Sequence, residues 1–160
     1  MSIKYKDSPF NYDLPVIPLN SSGVCKSGLS LEMKRRYPNA ALQYRKVCVE
    51  GDFVSGSLYI HEDKDGFGEI HQMIWVGIGD SKLYDIEKAL KNIAQIPKVD
   101  DSITELALGG FKKLYPVWGD IKFMMKKYLI DIGAEVIIVE NDIISEQYGN
   151  ISFRDAWRKK

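Results

Sequence analysis

The stretch Val16-Ile17-Pro18-Leu19-Asn20-Ser21-Ser22-Gly23-Val24-Cys25-Lys26-Ser27-Gly28-Leu29-Ser30 constrains the fold more than any other. An apolar, β-like tetrad passes through small polar residues and two glycines into a segment, Leu29 to Tyr37, that has the repeat of a helix. The order is strand, flexible loop, helix N-terminus. The first turn of a helix has free backbone N–H groups and the positive end of the dipole, so such a loop is a place for a phosphate or another anion. It has neither P-loop nor Gly-x-Gly-x-x-Gly spacing, and taken alone it is equally an ordinary strand-to-helix turn.

The rest of the chain alternates the same two kinds of segment. Ile3 to Lys6 reads as an edge strand interrupted by Ser8-Pro9 and Asn11, and Val16 to Leu19 as a short strand that Pro18 restricts to a bulge or an irregular edge. Leu29, Met33 and Tyr37 fall on one helical face, with Lys34, Arg35 and Arg36 towards the other, and the helix ends before Pro38. Ala41, Tyr44 and Cys48 mark a second helical piece over about Ala40 to Val47. Ser57 to His61 and Ile70 to Val76 flank a turn-rich run, Glu62 to Gly68, and read as a hairpin closed by Gly77 and Gly79.

Leu83, Ile86, Leu90, Ile93 and Ala94 define a helix bounded by Pro97, and Ile103 to Leu108 a strand running into Gly109-Gly110. Val117, Ile121, Met124, Met125, Tyr128 and Leu129 define a third long helix, expected to stop near Gly133. Val136 to Val139 is apolar throughout, as an interior strand requires. Ile143, Ile144, Tyr148, Phe153 and Trp157 suggest that the tail, 141–160, packs back on the domain. The alternation predicts a three-layer α/β/α fold with a mixed central sheet and a hairpin at one edge.

The chain has 160 residues, enough for one domain that buries roughly two thirds of its unfolded surface. Lys plus Arg equals Asp plus Glu at 22 each, which predicts neither a nucleic-acid nor an anionic-membrane partner. No apolar run approaches the roughly 20 residues that span a bilayer, and Met1 to Asp7 lacks the pattern of a secretory signal. A cytoplasmic protein is expected, with Cys25 and Cys48 reduced and the Asn150-Ile151-Ser152 sequon incidental.

In open α/β sheets ligands sit outside the carboxyl ends of the strands. Three loops meet that description: Asn20 to Gly28, Gly77 to Lys82, and Gly109 to Pro116. Two glycine loops flanking one crevice would let backbone approach a diphosphate from both sides, with Lys26, Lys112 or Lys113 adding charge. Asp80 and Asp85 near that crevice are candidates to activate water, with a helix N-cap the competing role for Asp80. His61 and His71 have no Cys or carboxylate pattern at metal spacing, so neither a metal nor a cofactor is expected.

The order of residues carries further information. Asn20 to Pro38, followed by Tyr44 and then Gly51-Asp52-Phe53-Val54-Ser55-Gly56, resembles the first loop and helix of macro domains. The match is to the branch containing ADP-ribose-1''-phosphate phosphatases and hydrolases that remove ADP-ribose from proteins or DNA. Ile3 to Asp7, Tyr84 to Leu90, and Leu106-Ala107-Leu108-Gly109-Gly110 up to Trp118 extend the resemblance to about Glu140.

The resemblance implies a crevice for ADP-ribose. Asp7 would accept from the adenine amino group. Gly23, Val24, Cys25, Lys26, Ser27, Gly28 and Leu29 would contact the diphosphate and distal ribose, with Asn20 beside that ribose. Leu108, Gly109, Gly110 and Phe111 would close from the other side, Phe111 as a lid. The chain also departs from the pattern. Lys26 stands where the first loop usually has glycine, Ser27 where some hydrolases have a catalytic lysine, and Pro18 in the region of a phosphatase histidine. Lys112 to Val117 replaces further glycines and, in one group, an Asp.

Asn20, Lys26 and Asp80 are therefore the candidate catalytic residues, without a recognisable catalytic set. The expected function is ADP-ribose binding, with hydrolysis of ADP-ribose-1''-phosphate as its enzymatic form. The alternatives are a reader or protein-interaction scaffold without catalysis, and a glycohydrolase acting on ADP-ribosylated macromolecules.

Overall fold

The computed structural model describes residues 1–5, 7–65, 67–114 and 117–140. The tail, with the expectation that it packs on the domain, lies outside them. Six strands, β1 (Ser2–Tyr5), β2 (Pro15–Leu19), β3 (Leu58–Lys64), β4 (Ile70–Gly77), β5 (Glu105–Gly109) and β6 (Glu135–Glu140), form one sheet in the order β1-β6-β5-β2-β4-β3. β1, β6, β5, β2 and β4 run parallel, and β3 joins β4 antiparallel at the far edge. The mixed sheet and its edge hairpin are as the alternation predicts. The parallel strands place their carboxyl ends, and the three glycine-bearing loops, along one rim.

Helices cover both faces. α1 (Gly28–Arg36) and α2 (Pro38–Val49) lie on one, while α3 (Leu83–Ala94), the single turn α4 (Ile96–Val99) and α5 (Trp118–Leu129) lie on the other. Strand alternation divides the core between them. Ile17, Met73 and Trp75 pack with Met33, Ala40 and Tyr44. Val16, Ile74, Val76, Leu106, Leu108, Val136 and Ile138 pack with Ile86, Leu90, Ile93 and Met125. Among the described residues no helix is long and apolar enough to cross a membrane.

Two expectations are corrected. β2 is not an irregular edge but a central strand, and Val16 and Ile17 are fully buried. The Leu19 carbonyl accepts from the Ile78 N–H, so alternation turns Pro18 towards β5. Pairing between β2 and β5 covers only Pro15 and Val16, so the donor that Pro18 lacks is not needed there. α5 ends at Leu129 rather than near Gly133: the chain turns extended at Ile130 (ψ 140°) and reverses through Asp131 (φ 53°). Elsewhere the boundaries move by a few residues. Pro38 opens α2, where a missing N–H costs nothing.

Candidate functional site

A crevice of about 320 Å³ opens at the rim where β2 and β5 part. Pro18, Leu19 and Asn20 reach it from the end of β2, and Val24, Ser27, Gly28, Leu29 and Ser30 from the loop into α1. Tyr44 of α2 lies behind these, Ile78 and Ser81 come from the loop after β4, and Gly110, Lys113 and Leu114 from the loop after β5. All three loops singled out in the sequence therefore meet in one place.

The floor is the start of α1. Ser27 is its N-cap residue, yet no side chain caps the helix, so the N–H groups of its first turn stay free at the crevice. Gly28 enters the helix at φ 56°. Opposite stands Gly110 at φ 82°, where a Cβ would lie 2.8 Å from Leu29 Cδ1. The loop backbone thus packs directly on the Leu29 side chain, and the left-handed conformation at Gly110 favours glycine there. A free helix N-terminus, a backbone wall and the exposed Lys113 together suit an anionic, phosphate-bearing ligand.

Asn20 marks one end of the crevice. Its Oδ1 accepts from the Ser22 N–H at 3.0 Å and the Ser22 hydroxyl at 2.6 Å. The Tyr44 hydroxyl donates to the Asn20 carbonyl at 2.7 Å and lies 3.0 Å from Oδ1. Because a backbone N–H can only donate, these contacts fix the amide orientation and leave Nδ2, a donor, as the group for a ligand. Burial pushes the Tyr44 phenol up to about 12, so it remains a donor through neutral pH.

Asp7 follows β1 on the same rim but does not line the crevice. Its carboxylate accepts from the Ser8 N–H (2.8 Å), Asn11 Nδ2 (2.8 Å) and the Tyr12 hydroxyl (2.7 Å). Burial pushes its pKa up, but these bonds outweigh that and hold it below the ordinary aspartate value, and they push Tyr12 up to about 12.

Of the other sequence candidates, Asn20, Val24, Ser27, Gly28, Leu29 and Gly110 line the crevice, whereas Gly23, Cys25, Lys26, Leu108 and Gly109 do not. Gly23 packs on α2, where a Cβ would sit 3.2 Å from the Arg45 Cα. Lys26 is exposed, and Lys113 supplies the lining cation instead. Burial raises the Cys25 thiol pKa, opposite to what a nucleophile needs. Phe111 is a correction: its ring is 1% exposed in the core and cannot serve as a lid. Asp85 is another, since its buried carboxylate is bonded by the Ser55 hydroxyl (2.7 Å) and the Lys82 N–H (3.3 Å). The cap of α3 is thereby made by Asp85, not Asp80.

The hairpin also brings together what sequence spacing separates: Asp65, Glu69 and His71 each place a possible ligand atom within 4.8 Å of the others. Asp65 is engaged as a turn former, accepting from the Phe67 and Glu69 N–H groups and meeting His71 Nε2 at 2.7 Å. Of the cations the sequence offered, Lys113 is the one that lines the crevice, and Pro18, Leu19, Ser30, Tyr44, Ile78, Ser81 and Leu114 line it without having been assigned a contact with the ligand. Helical spacing with Ala41 and Cys48 is the one local signal that Tyr44 faces inward.

A three-layer α/β/α sandwich with a crevice at its strand ends defines the class. More particularly, the chain has the macrodomain fold. The Mycobacterium tuberculosis DarG macrodomain superposes with a TM-score of 0.72 at 20% identity, over 86% of this chain and 96% of that one. The Thermus aquaticus DarG macrodomain gives 0.69 at 17%, over 86% and 97%. Thermosipho africanus DarTG in complex with ADP-ribose gives 0.72 at 16%, over 92% of this chain and 45% of that one. No protein-family model matches the sequence, and no curated protein does.

Proposed function

We propose that the protein binds ADP-ribose, or a molecule carrying an ADP-ribosyl group, in the crevice between α1 and the loop after β5. The observation that carries this reading is the uncapped start of α1 facing Gly110 and Lys113 across a cavity at the strand ends. The diphosphate lies on the first-turn N–H groups, Asn20 Nδ2 meets the distal ribose, and the base extends towards Asp7. A structure of the same fold, Thermosipho africanus DarTG, is in complex with ADP-ribose, which supports the choice of ligand.

Titration calorimetry with ADP-ribose tests this. Saturable binding is expected, and no saturation at millimolar ligand refutes it. The finer reading is hydrolysis at the distal end, with ADP-ribose-1''-phosphate or an ADP-ribosylated protein or DNA as substrate. Among its described lining residues the crevice has no Asp, Glu or His, so the candidate to activate water in this reading is Asp80, which lines the adjoining lobe beyond Asn20. Release of ADP-ribose from one of these substrates identifies a hydrolase, and binding without release a recognition module.

A further inference from the structure

Past Asn20 the cleft continues into a second, shallower lobe, lined by Asn20, Ser21, Ser22, Gly79, Asp80 and Ser81. Asn20 and Ser81 belong to both lobes, so the two are one continuous surface. Ser81 is held at φ 60°, a left-handed conformation that a non-glycine residue adopts at a cost, and its N–H bonds the Ile78 carbonyl at 2.9 Å. That turn presents Asp80 and Ser81 along the lobe.

The chemistry of the two lobes differs in sign. The first has the free N-terminus of α1 and Lys113, both suited to phosphate. In the second, the one charged lining side chain is the exposed Asp80, whose carboxylate takes no hydrogen bond from any described residue. The helix start beside it, that of α3, offers little to an anion because the Asp85 carboxylate already meets the Lys82 N–H. The Ser22 hydroxyl donates inward to Asn20 and accepts from the Val24 N–H, so its proton is not on offer to an anion. The one charge among the lobe's described lining residues is therefore negative, which favours a cation over an anion there.

We propose that this lobe receives the substituent on the distal ribose of an ADP-ribosyl group, and that the substituent is a hydrogen-bond-donating cation, the guanidinium of an arginine side chain, rather than a phosphate. The inference rests on the ADP-ribose reading. Sheet order supplies the direction: β1, with Asp7 after it, and β4, with Asp80 after it, lie on opposite sides of the β5-β2 pair. A ligand whose base is at Asp7 and whose diphosphate is on α1 therefore ends at Asp80.

The test is equilibrium titration of the wild-type chain and Asp80→Asn with ADP-ribose, ADP-ribosyl-arginine and ADP-ribose-1''-phosphate, with folding checked by circular dichroism. An exposed charge contact changes affinity a few-fold, and here attraction and repulsion act in opposite directions on the two substituted ligands. The wild-type chain is expected to prefer the arginine conjugate over the phosphate by roughly tenfold, and Asp80→Asn to reduce that preference to about twofold. Equal or tighter binding of the phosphate, or a preference that survives Asp80→Asn, overturns the proposal while ADP-ribose still binds. Failure of ADP-ribose itself to bind overturns the parent reading as well.

Discussion

Tyr44→Phe tests whether the crevice is built around an oriented Asn20. The substitution keeps the ring, which sits edge-on to Phe53 and Trp75 with centroids 5.9 Å away in both cases. It removes one donor, the hydroxyl 2.7 Å from the Asn20 carbonyl. Because Asn20 is exposed, the abandoned carbonyl is rehydrated, which places the cost at the lower end of the range for a lost hydrogen bond, about 1 kcal/mol. For a chain of this length that is a fall of roughly 2–4 °C in Tm by calorimetry. With one of its two anchors gone, the Asn20 amide must be ordered by the ligand, and affinity for ADP-ribose is expected to fall by about fivefold. ADP, which lacks the distal ribose, should bind wild type and variant alike. A lower Tm with unchanged ADP-ribose affinity refutes the positioning role, and equal losses for both ligands refute the placement of Asn20 at the distal end.

Gly110→Ala combines φ 82° with a Cβ 2.8 Å from Leu29 Cδ1, so destabilisation of about 1–3 kcal/mol in urea denaturation and loss of ADP-ribose binding are expected. Lys113→Ala removes an exposed cation at the crevice and should weaken ADP-ribose by about two- to fivefold, with a flatter salt dependence, and the loss should exceed that of Lys26→Ala. Glu32 is 1% exposed, bonded through Oε2 by Ser8 and Arg36, and its Oε1 has no partner among the described residues. Burial raises its pKa above 4.5 against the opposing pull of those partners. Its contribution is then fully present below pH 4.5 and lost as pH rises through the raised folded value. Denaturation at pH 4 and pH 7 should show Glu32→Gln gaining stability relative to wild type at the higher pH, and a difference that does not change with pH contradicts this.

Pro18 and Lys113 show where reading a chain residue by residue succeeds and where it stops. α3 was legible because its signal is local: Leu83, Ile86, Leu90, Ile93 and Ala94 repeat at helical spacing whatever the rest does, and the observed helix has those bounds. Val136 to Val139 was legible for the same reason, since a run with no polar face has to lie inside a sheet. Pro18 misled because the cost of a missing N–H depends on which neighbour the nitrogen faces, and that is a property of register. With β5 pairing β2 only at Pro15 and Val16, the proline sits where the strands part, and their parting is what opens the crevice. The site divides in the same way. Asn20, Ser27, Gly28 and Leu29 belong to one continuous strand, loop and helix and were found from it. Lys113, Ser81 and Asp80 reach the cleft from the ends of other strands, so the sequence could offer Lys113 and Asp80 only among alternatives, and the sheet order, with β4 and β5 on either side of β2, is what selects them. Of the three lysines expected to add charge, Lys26, Lys112 and Lys113, the crevice is lined by Lys113, and the carboxylate of Asp80 gains its meaning from lying beyond Asn20 rather than beside it in sequence.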